Sequence, residues 1–307
     1  MPSLKIRLFG KFSIHREGQP LKGLDSGRAQ ELFCYLLLHR DRPHPRETLA
    51  SLLWEASSSA QAKKYLRQAI WQLQNALARP TDKDGEGVLL VEPEWICINP
   101  HADVWLDVAI FEDAFTMVRG LPGDEMDADQ ARALNLVVQL YHGDLLEGWY
   151  QDWCLYERER LQNIWLAILE KLMAYYESHD AYEEGMVHGR CVLRFDRAHE
   201  RTHRRMMRLQ YLAGDRTAAL RQYKRCCTAL DEELNVKPAK RTESLYQLIL
   251  DDSYDRTTPP EKSVGTGEHA LLPNVVSRLN QLRRMLTDVK SHVSQDLETI
   301  EQALDKQ

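Results

Sequence analysis

The sequence predicts a mostly α-helical protein, in which a small α+β domain precedes an all-α repeat domain and a separate C-terminal helix. Three observations support this fold class. Short segments of alternating apolar and polar residues flank three helical segments within the first hundred residues. An internal period of 34 residues follows, and heptad-like apolar spacing resumes after a polar linker. These patterns are typical of strands, helical hairpins and a coiled coil, respectively.

Composition favours a soluble protein of roughly two domains, because 43% of the 307 residues are hydrophobic and 28% are charged. No apolar run approaches the ~20 residues that a membrane helix needs, and no signal peptide is recognisable at the N-terminus. Six scattered cysteines fit a reducing compartment. We therefore expect a cytoplasmic protein without membrane contact.

The charge is distributed unevenly along the chain. Residues 1–79 contain 13 Lys/Arg and 6 Asp/Glu, a net charge of +7, which leaves −13 for the rest of a chain whose total is −6. A basic N-terminal part on an acidic body suggests that only the first part meets a polyanion.

The N-terminal elements follow one another in an informative order. We expect paired strands over 4–10 and 12–15, helices over 28–39, 46–54 and 57–77, and a β-hairpin over 88–91 and 95–98. Strands, three helices and a hairpin in this order predict a winged helix-turn-helix. In that fold the third helix enters the major groove of DNA.

The third helix has two contrasting faces. One face is an apolar stripe at helical spacing, and serines 57–59 offer N-cap hydroxyls before it. The other face is cationic and amide-rich, without a carboxylate, which fits a phosphate-lined groove. The alternative is an ordinary amphipathic helix whose basic side chains are only solvated. The predicted DNA-binding residues are Lys63, Lys64, Arg67, Gln68 and Trp71.

Individual residues of this face have distinct expected roles. Lys64 and Arg67 suit phosphates, and the Gln68 amide can pair bidentately with adenine. Trp71 is expected either to touch DNA or to close the edge of the core. The hairpin tip carries Glu92 and Glu94, whose negative charges oppose contact with minor-groove phosphates.

The middle of the chain is predicted to be helical, with long helices over 129–141 and 153–178. An offset of 34 residues aligns Leu172 with Met206 and Val192 with Cys226, which is the tetratricopeptide period. We expect stacked helical hairpins, capped by 241–250. An unrelated helical bundle is the alternative.

The C-terminal part begins with a polar linker over 251–273. Residues 274–307 show alternating three- and four-residue apolar spacings, interrupted by one shift that resembles a stutter. We expect a coiled coil that makes the protein a homodimer, or else a tail that docks on its own chain. The predicted oligomerisation residues are Leu279, Leu282, Leu286, Val289 and Val293. The predicted segments are thus 1–100, 101–250, 251–273 and 274–307.

The sequence contains only weak motifs for catalysis or metal binding. The H-E-x-x-H pattern over 199–203 lies in a repeat helix with strongly basic flanks and lacks a third ligand. No P-loop occurs, and the adjacent Cys226 and Cys227 suit a repeat core better than a redox switch. We predict no catalytic residues, no metal and no cofactor.

Several of these segments resemble a known family. Members of the SARP family, the Streptomyces antibiotic regulatory proteins, contain segments similar to three in this chain: LFGKF at 8–12, RETL at 46–49 and GDLLEG at 143–148. The resemblance covers residues 4 to about 250. It implies an OmpR-type winged helix followed by a bacterial transcriptional activator domain with tetratricopeptide-like repeats. It also implies an activator that binds tandem promoter repeats and recruits RNA polymerase.

We therefore expect a non-enzymatic, DNA-binding transcription regulator whose partners are double-stranded DNA and RNA polymerase. A second hypothesis is a protein-interaction scaffold with a vestigial winged helix, and the acidic hairpin tip is the feature that favours it.

Overall fold

The computed structural model of the protein describes residues 4–24, 27–78 and 87–255. Residues 1–254 form one compact unit. The predicted oligomerisation residues, Leu279, Leu282, Leu286, Val289 and Val293, and most of the predicted linker lie outside the described residues. The described part is mostly helical, with a small sheet region at its N-terminus.

The N-terminal part contains two small sheets. Their strands are β1 (Leu4–Arg7), β2 (Ser13–Arg16), β3 (Gln19–Pro20), β4 (His44–Pro45), β5 (Leu89–Val91), β6 (Trp95–Ile98) and β7 (Val104–Leu106). The first sheet has the order β3-β2-β1-β7, in which β1 runs parallel to β7 and the other pairs are antiparallel. The second sheet is antiparallel with the order β4-β6-β5.

The predicted strand pair and hairpin are confirmed by this pairing. Glu17 and Gly18 both adopt positive φ, at 50° and 82°, which gives the tight turn that leads from β2 into β3. The strand β7 was not predicted from the sequence. It follows the hairpin and returns to the first sheet, where it pairs with β1.

Three helices lie between β3 and β5 in the sequence, and β4 separates the first two: α1 (Gly27–Leu38), α2 (Arg46–Leu53) and α3 (Ser59–Leu77). All three were predicted to within two residues at each end. The expected hydrogen bond from a serine hydroxyl to the first backbone amides of α3 is not formed. Ser58 is the N-cap residue of α3, but its side chain makes no capping bond to the backbone, and its hydroxyl lies 3.2 Å from Gln61 Oε1 instead.

The remaining described chain is helical apart from its connections. It contains α4 (Asp107–Met117), a 3₁₀ turn (Gly123–Glu125), α5 (Ala128–Val138), α6 (Asp152–Ser178), α7 (Tyr182–Phe195), α8 (Glu200–Leu212), α9 (Arg216–Leu234) and α10 (Lys240–Leu250). Each helix from α6 to α9 packs on the next. The ends of α6 and α8 are 34 residues apart, as are the starts of α7 and α9, so the predicted period is confirmed. No described helix is both long and apolar enough to cross a bilayer.

One hydrophobic core joins the N-terminal sheets and helices to α4, α5 and α6, since its buried members run from Leu4 to Leu172. The Phe9 ring meets the Phe111 ring edge-on at 5.1 Å. The Asp107 carboxylate, at the start of α4, accepts hydrogen bonds from the Leu8 and Phe9 amides at 2.9 and 3.0 Å. The end of β1 is therefore fixed directly to α4.

Candidate nucleic-acid interface

The apolar stripe of α3 fixes which side of the helix faces outward. Leu66, Ile70, Leu73 and Leu77 are all buried in the main core. An α-helix turns once every 3.6 residues, so residues half a turn away from this stripe must project into solvent. The sequence alone determines this orientation, because only one face of α3 is apolar.

All five predicted DNA-binding residues lie on the solvent side of α3. Lys63, Lys64, Arg67, Gln68 and Trp71 are exposed. Lys64, Gln68 and Trp71 stand near the centre of this outward face, opposite the buried stripe, and Arg67 flanks them. The Trp71 side chain is 62% exposed. It therefore does not close the edge of the core, which removes one of the two roles expected for it.

Lys63 has a partner that the sequence did not indicate. Its Nζ lies 2.6 Å from Glu47 Oε1, on α2. The hydrogen bond from Lys63, followed by its charge, lowers the pKa of the Glu47 carboxyl. The two residues are 16 positions apart, so only the packing of α2 against α3 brings them together. Lys63 is thus partly neutralised, whereas Lys64 and Arg67 have no ion-pair partner among the described residues.

Arg16 anchors the far end of α3 to the first sheet. Its guanidinium donates to the carbonyl oxygens of Leu77, at 2.6 Å, and of Ala78, at 3.1 Å. The last carbonyls of a helix lack partners within the helix, and a cation there also interacts favourably with the helix dipole. Arg16 thus acts as a C-terminal cap. Its place in an alternating strand gave no sequence signal for this role.

The β5–β6 hairpin is attached to the start of α2. The Arg46 amide donates to the Glu94 carbonyl at 2.9 Å, and the Arg46 guanidinium donates to the Glu92 carbonyl at 3.2 Å. These bonds use the backbone of the hairpin tip. The Glu92 and Glu94 side chains stay exposed, with no ion pair to any described residue. The tip therefore presents two negative charges to solvent.

The histidines of the H-E-x-x-H pattern face different neighbours. The imidazole Nδ1 of His199 lies 2.8 Å from Thr202 Oγ1. The Gln222 amide donates to His203 Nδ1 at 2.7 Å, which leaves the proton of His203 on Nε2 to donate to the Arg197 carbonyl at 2.9 Å. Both nitrogens of His203 are thus occupied by protein partners. Among the described residues, no group of three or more His, Cys, Asp or Glu side chains is arranged to hold a metal ion.

The two adjacent cysteines differ in how deeply they are buried. Cys226 is buried and Cys227 is half-buried. Burial raises the pKa of the Cys226 thiol to about 12, so at neutral pH this side chain is an uncharged thiol rather than a reactive thiolate. This environment fits the packing role that the repeat pattern predicts.

Comparison with known protein families finds one match, in the part of the chain that follows the hairpin. The family model of the bacterial transcriptional activator domain matches residues 106–250, from the end of β7 to the end of α10. No curated protein sequence matches the chain significantly.

A solved structure shares the architecture. Mycobacterium tuberculosis EmbR, in complex with a low-affinity phosphopeptide, superposes with a TM-score of 0.61 at 18% sequence identity, over 82% of this chain and 66% of that chain. This chain therefore spans slightly less than two thirds of the length of that protein. At this level of identity the likeness establishes a common fold. Residues 106–250 are thus similar to the bacterial transcriptional activator domain, and the chain shares the fold of EmbR.

Proposed function

We propose that the protein is a sequence-specific, DNA-binding transcription regulator without catalytic activity, and that α3 is its recognition helix. In this proposal α1–α3 and the β5–β6 hairpin form a winged helix-turn-helix over residues 1–100. The single observation that carries the proposal is the outward face of α3, which is exposed, cationic and rich in amide groups. A helix of this kind fits the major groove, which is about 12 Å wide.

The basic residues of α3 have separate tasks in the proposed complex. Lys64 and Arg67 bind phosphates, because both are exposed and neither is paired within the described part of the chain. Lys63 contributes less, since Glu47 already holds its ammonium group. Gln68 donates to and accepts from an adenine edge. The hairpin tip stays away from the phosphates because Glu92 and Glu94 would be repelled by them.

The proposal is tested by measuring the affinity of the full chain for a random-sequence duplex pool over a range of salt concentrations. Lys64→Ala combined with Arg67→Ala should weaken binding roughly tenfold and flatten the logarithmic salt slope by about two units, one for each lost phosphate contact. The matched control is Arg221→Ala combined with Lys224→Ala. It removes two exposed charges at the same spacing from α9, which is also 19 residues long.

The control variant should keep the wild-type slope. If both double variants lose the same affinity, only net charge matters and α3 is not the recognition helix. If the wild-type chain binds no duplex at low salt, the protein is not a DNA-binding protein at all. Far-UV circular dichroism establishes that each variant is folded before its affinity is measured.

The activator role and its partners are part of the same proposal. Residues 101–250 would contact RNA polymerase from promoters that carry tandem sites, and the C-terminal residues from Leu279 to Val293 would join two chains. Two linked winged helices would bind neighbouring sites at a high effective concentration. Truncation after Leu272 should then convert a dimer to a monomer and abolish the advantage of two-site over one-site DNA. An unchanged mass in solution and an unchanged two-site advantage would contradict this role.

A second function has one observation in its favour. The exposed acidic hairpin tip is unsuited to DNA, as expected for an interaction scaffold with a vestigial winged helix. The salt experiment separates the two functions, because a scaffold has no steep dependence of duplex binding on salt.

A further inference from the structure

Trp71 is an aromatic side chain that the fold does not use. It is 62% exposed, although a Trp usually buries most of its surface. Among the described residues its ring contacts no other aromatic ring, whereas Trp54, Trp149, Trp153 and Trp165 all do. The packing of α3 therefore does not explain why an indole stands at this position.

The position of Trp71 on α3 places it in the middle of the polar face. With 3.6 residues per turn, Trp71 projects between the directions of Arg67 and Gln68, one turn further along the helix. It also stands nearly in line with Lys64, two turns and about 10 Å away. An apolar ring is thus flanked by two unpaired cations and one amide.

The chemistry of the major groove offers one apolar group to such a ring. Base edges present hydrogen-bond donors and acceptors, and the thymine C5-methyl group is the apolar exception. In an A·T pair that methyl group lies on the same major-groove edge as the adenine N6 and N7 atoms that suit Gln68. Gln68 and Trp71 are three residues apart, an axial rise of about 4.5 Å, which is close to the spacing of about 3.4 Å between stacked base pairs. The two side chains are therefore near enough to each other to reach neighbouring A·T pairs.

We propose that Trp71 is a specificity-determining residue that contacts thymine methyl groups, and that together with Gln68 it makes the protein prefer adjacent A·T pairs. This inference rests on the proposed binding of DNA by α3. It specifies the class of DNA sequence that α3 would recognise.

The test uses duplexes that the wild-type chain enriches from a random-sequence pool, resynthesised with deoxyuridine in place of thymidine. This exchange removes only the methyl groups. The wild-type chain should lose about fourfold in affinity for each contacted methyl, the effect expected from exposing one methyl-sized group. Trp71→Ala should bind the thymidine and deoxyuridine duplexes equally, and Trp71→Phe should keep part of the discrimination.

A matched control is Tyr156→Ala, which removes another exposed aromatic ring, 68% exposed on α6. This variant should discriminate as the wild type does. If Trp71→Ala still loses affinity on uridine exchange as strongly as the wild type, Trp71 does not read thymine. That result would leave DNA binding itself intact. If the wild-type chain enriches no duplex, the proposed function fails and this inference fails with it.

Discussion

Asp107 shows how one buried side chain can join two parts of a chain that are far apart in sequence. Its carboxylate accepts hydrogen bonds from the Leu8 and Phe9 amides, about a hundred positions away, and from its own neighbour Val108. Burial raises the pKa of Asp107, and these amide bonds oppose that shift by stabilising the ionised form. The residue therefore connects the end of β1 with the start of α4.

Replacement of Asp107 should be costly. Asp107→Ala leaves the buried Leu8 and Phe9 amides without partners, so we expect a loss of about 3 kcal/mol in the free energy of unfolding. Urea denaturation of the full chain measures this. Asp113→Ala, at an exposed position of the same helix, should change stability by less than about 0.5 kcal/mol. Equal losses in the two variants would mean that the hydrogen bonds are not the cause.

His188 should make stability depend on pH. It is 8% exposed on α7 and stacks on Tyr176, and burial lowers the pKa of its imidazole to about 4. The unfolded chain keeps an ordinary pKa near 6.5, so between those two values it binds more protons than the folded chain does. Stability contributed through His188 is therefore present above pH 6.5 and is lost as the pH falls toward 4.

The expected loss from this one group between pH 7 and pH 5 is about 2 kcal/mol. His188→Phe keeps an aromatic ring next to Tyr176 but cannot take up a proton, so its stability should fall less over the same range. His179→Phe is the matched control, because His179 stacks on Tyr175 in the same way but is exposed. Denaturation at pH 7 and pH 5 measures the free energy of unfolding of each variant. A His188→Phe variant whose stability depends on pH as strongly as that of the wild type would contradict the prediction.

At the scale of single elements, α3 depends on contacts from elsewhere in the chain. Its sequence specifies a helix with one apolar face. Beyond the packing of that face, Glu47 on α2 contacts the beginning of α3 and Arg16 on β2 contacts its end. The recognition face that we propose is thus held at both ends by neighbouring elements.

Removal of the Arg16 cap should loosen the last turn of α3. Arg16→Ala leaves the carbonyl groups of Leu77 and Ala78 without this donor, and we expect a loss of about 1 kcal/mol. Amide hydrogen exchange should show faster exchange at residues 74–78 than in the wild type. Arg7→Ala removes an exposed arginine from the neighbouring strand β1 and should leave this exchange unchanged. Unchanged exchange in Arg16→Ala would mean that the cap does not stabilise the helix end.

At the scale of the whole molecule, the core does not stop where the predicted DNA-binding segment ends. Strand β7 completes the first sheet from beyond residue 100, and Phe111, Leu145 and Leu161 are buried in the same core as Phe9. The DNA-binding and activator parts that we propose therefore share their apolar packing. A substitution that destabilises one part should therefore destabilise the other part as well.

Because the core is shared, we can predict how fragments of the chain will fold. Residues 1–100 expressed alone would lack β7 and expose the apolar side chains that α4 and α6 cover, so we expect no cooperative unfolding transition. Residues 1–254 should show a cooperative transition of the N-terminal part, because they contain the whole of the main core. Circular dichroism during urea titration measures both. A sharp transition of 1–100 at the midpoint of the longer fragment would show that the first part folds independently.

The sequence by itself determined α1–α3, the strand pair, the hairpin and the 34-residue period, because each of these depends on local spacing of apolar residues. It also determined that Lys64, Arg67 and Gln68 share an exposed face, since the stripe from Leu66 to Leu77 leaves α3 only one way to pack.

Only the tertiary structure decided the pairing of Lys63 with Glu47, the capping of α3 by Arg16, the return of β7 to β1 and the exposure of Trp71. The physical reason is that these features depend on the positions of side chains and strands far apart in the chain. Hydrophobic periodicity fixes which face of a helix is buried, but it carries no information about which distant polar group will meet that helix.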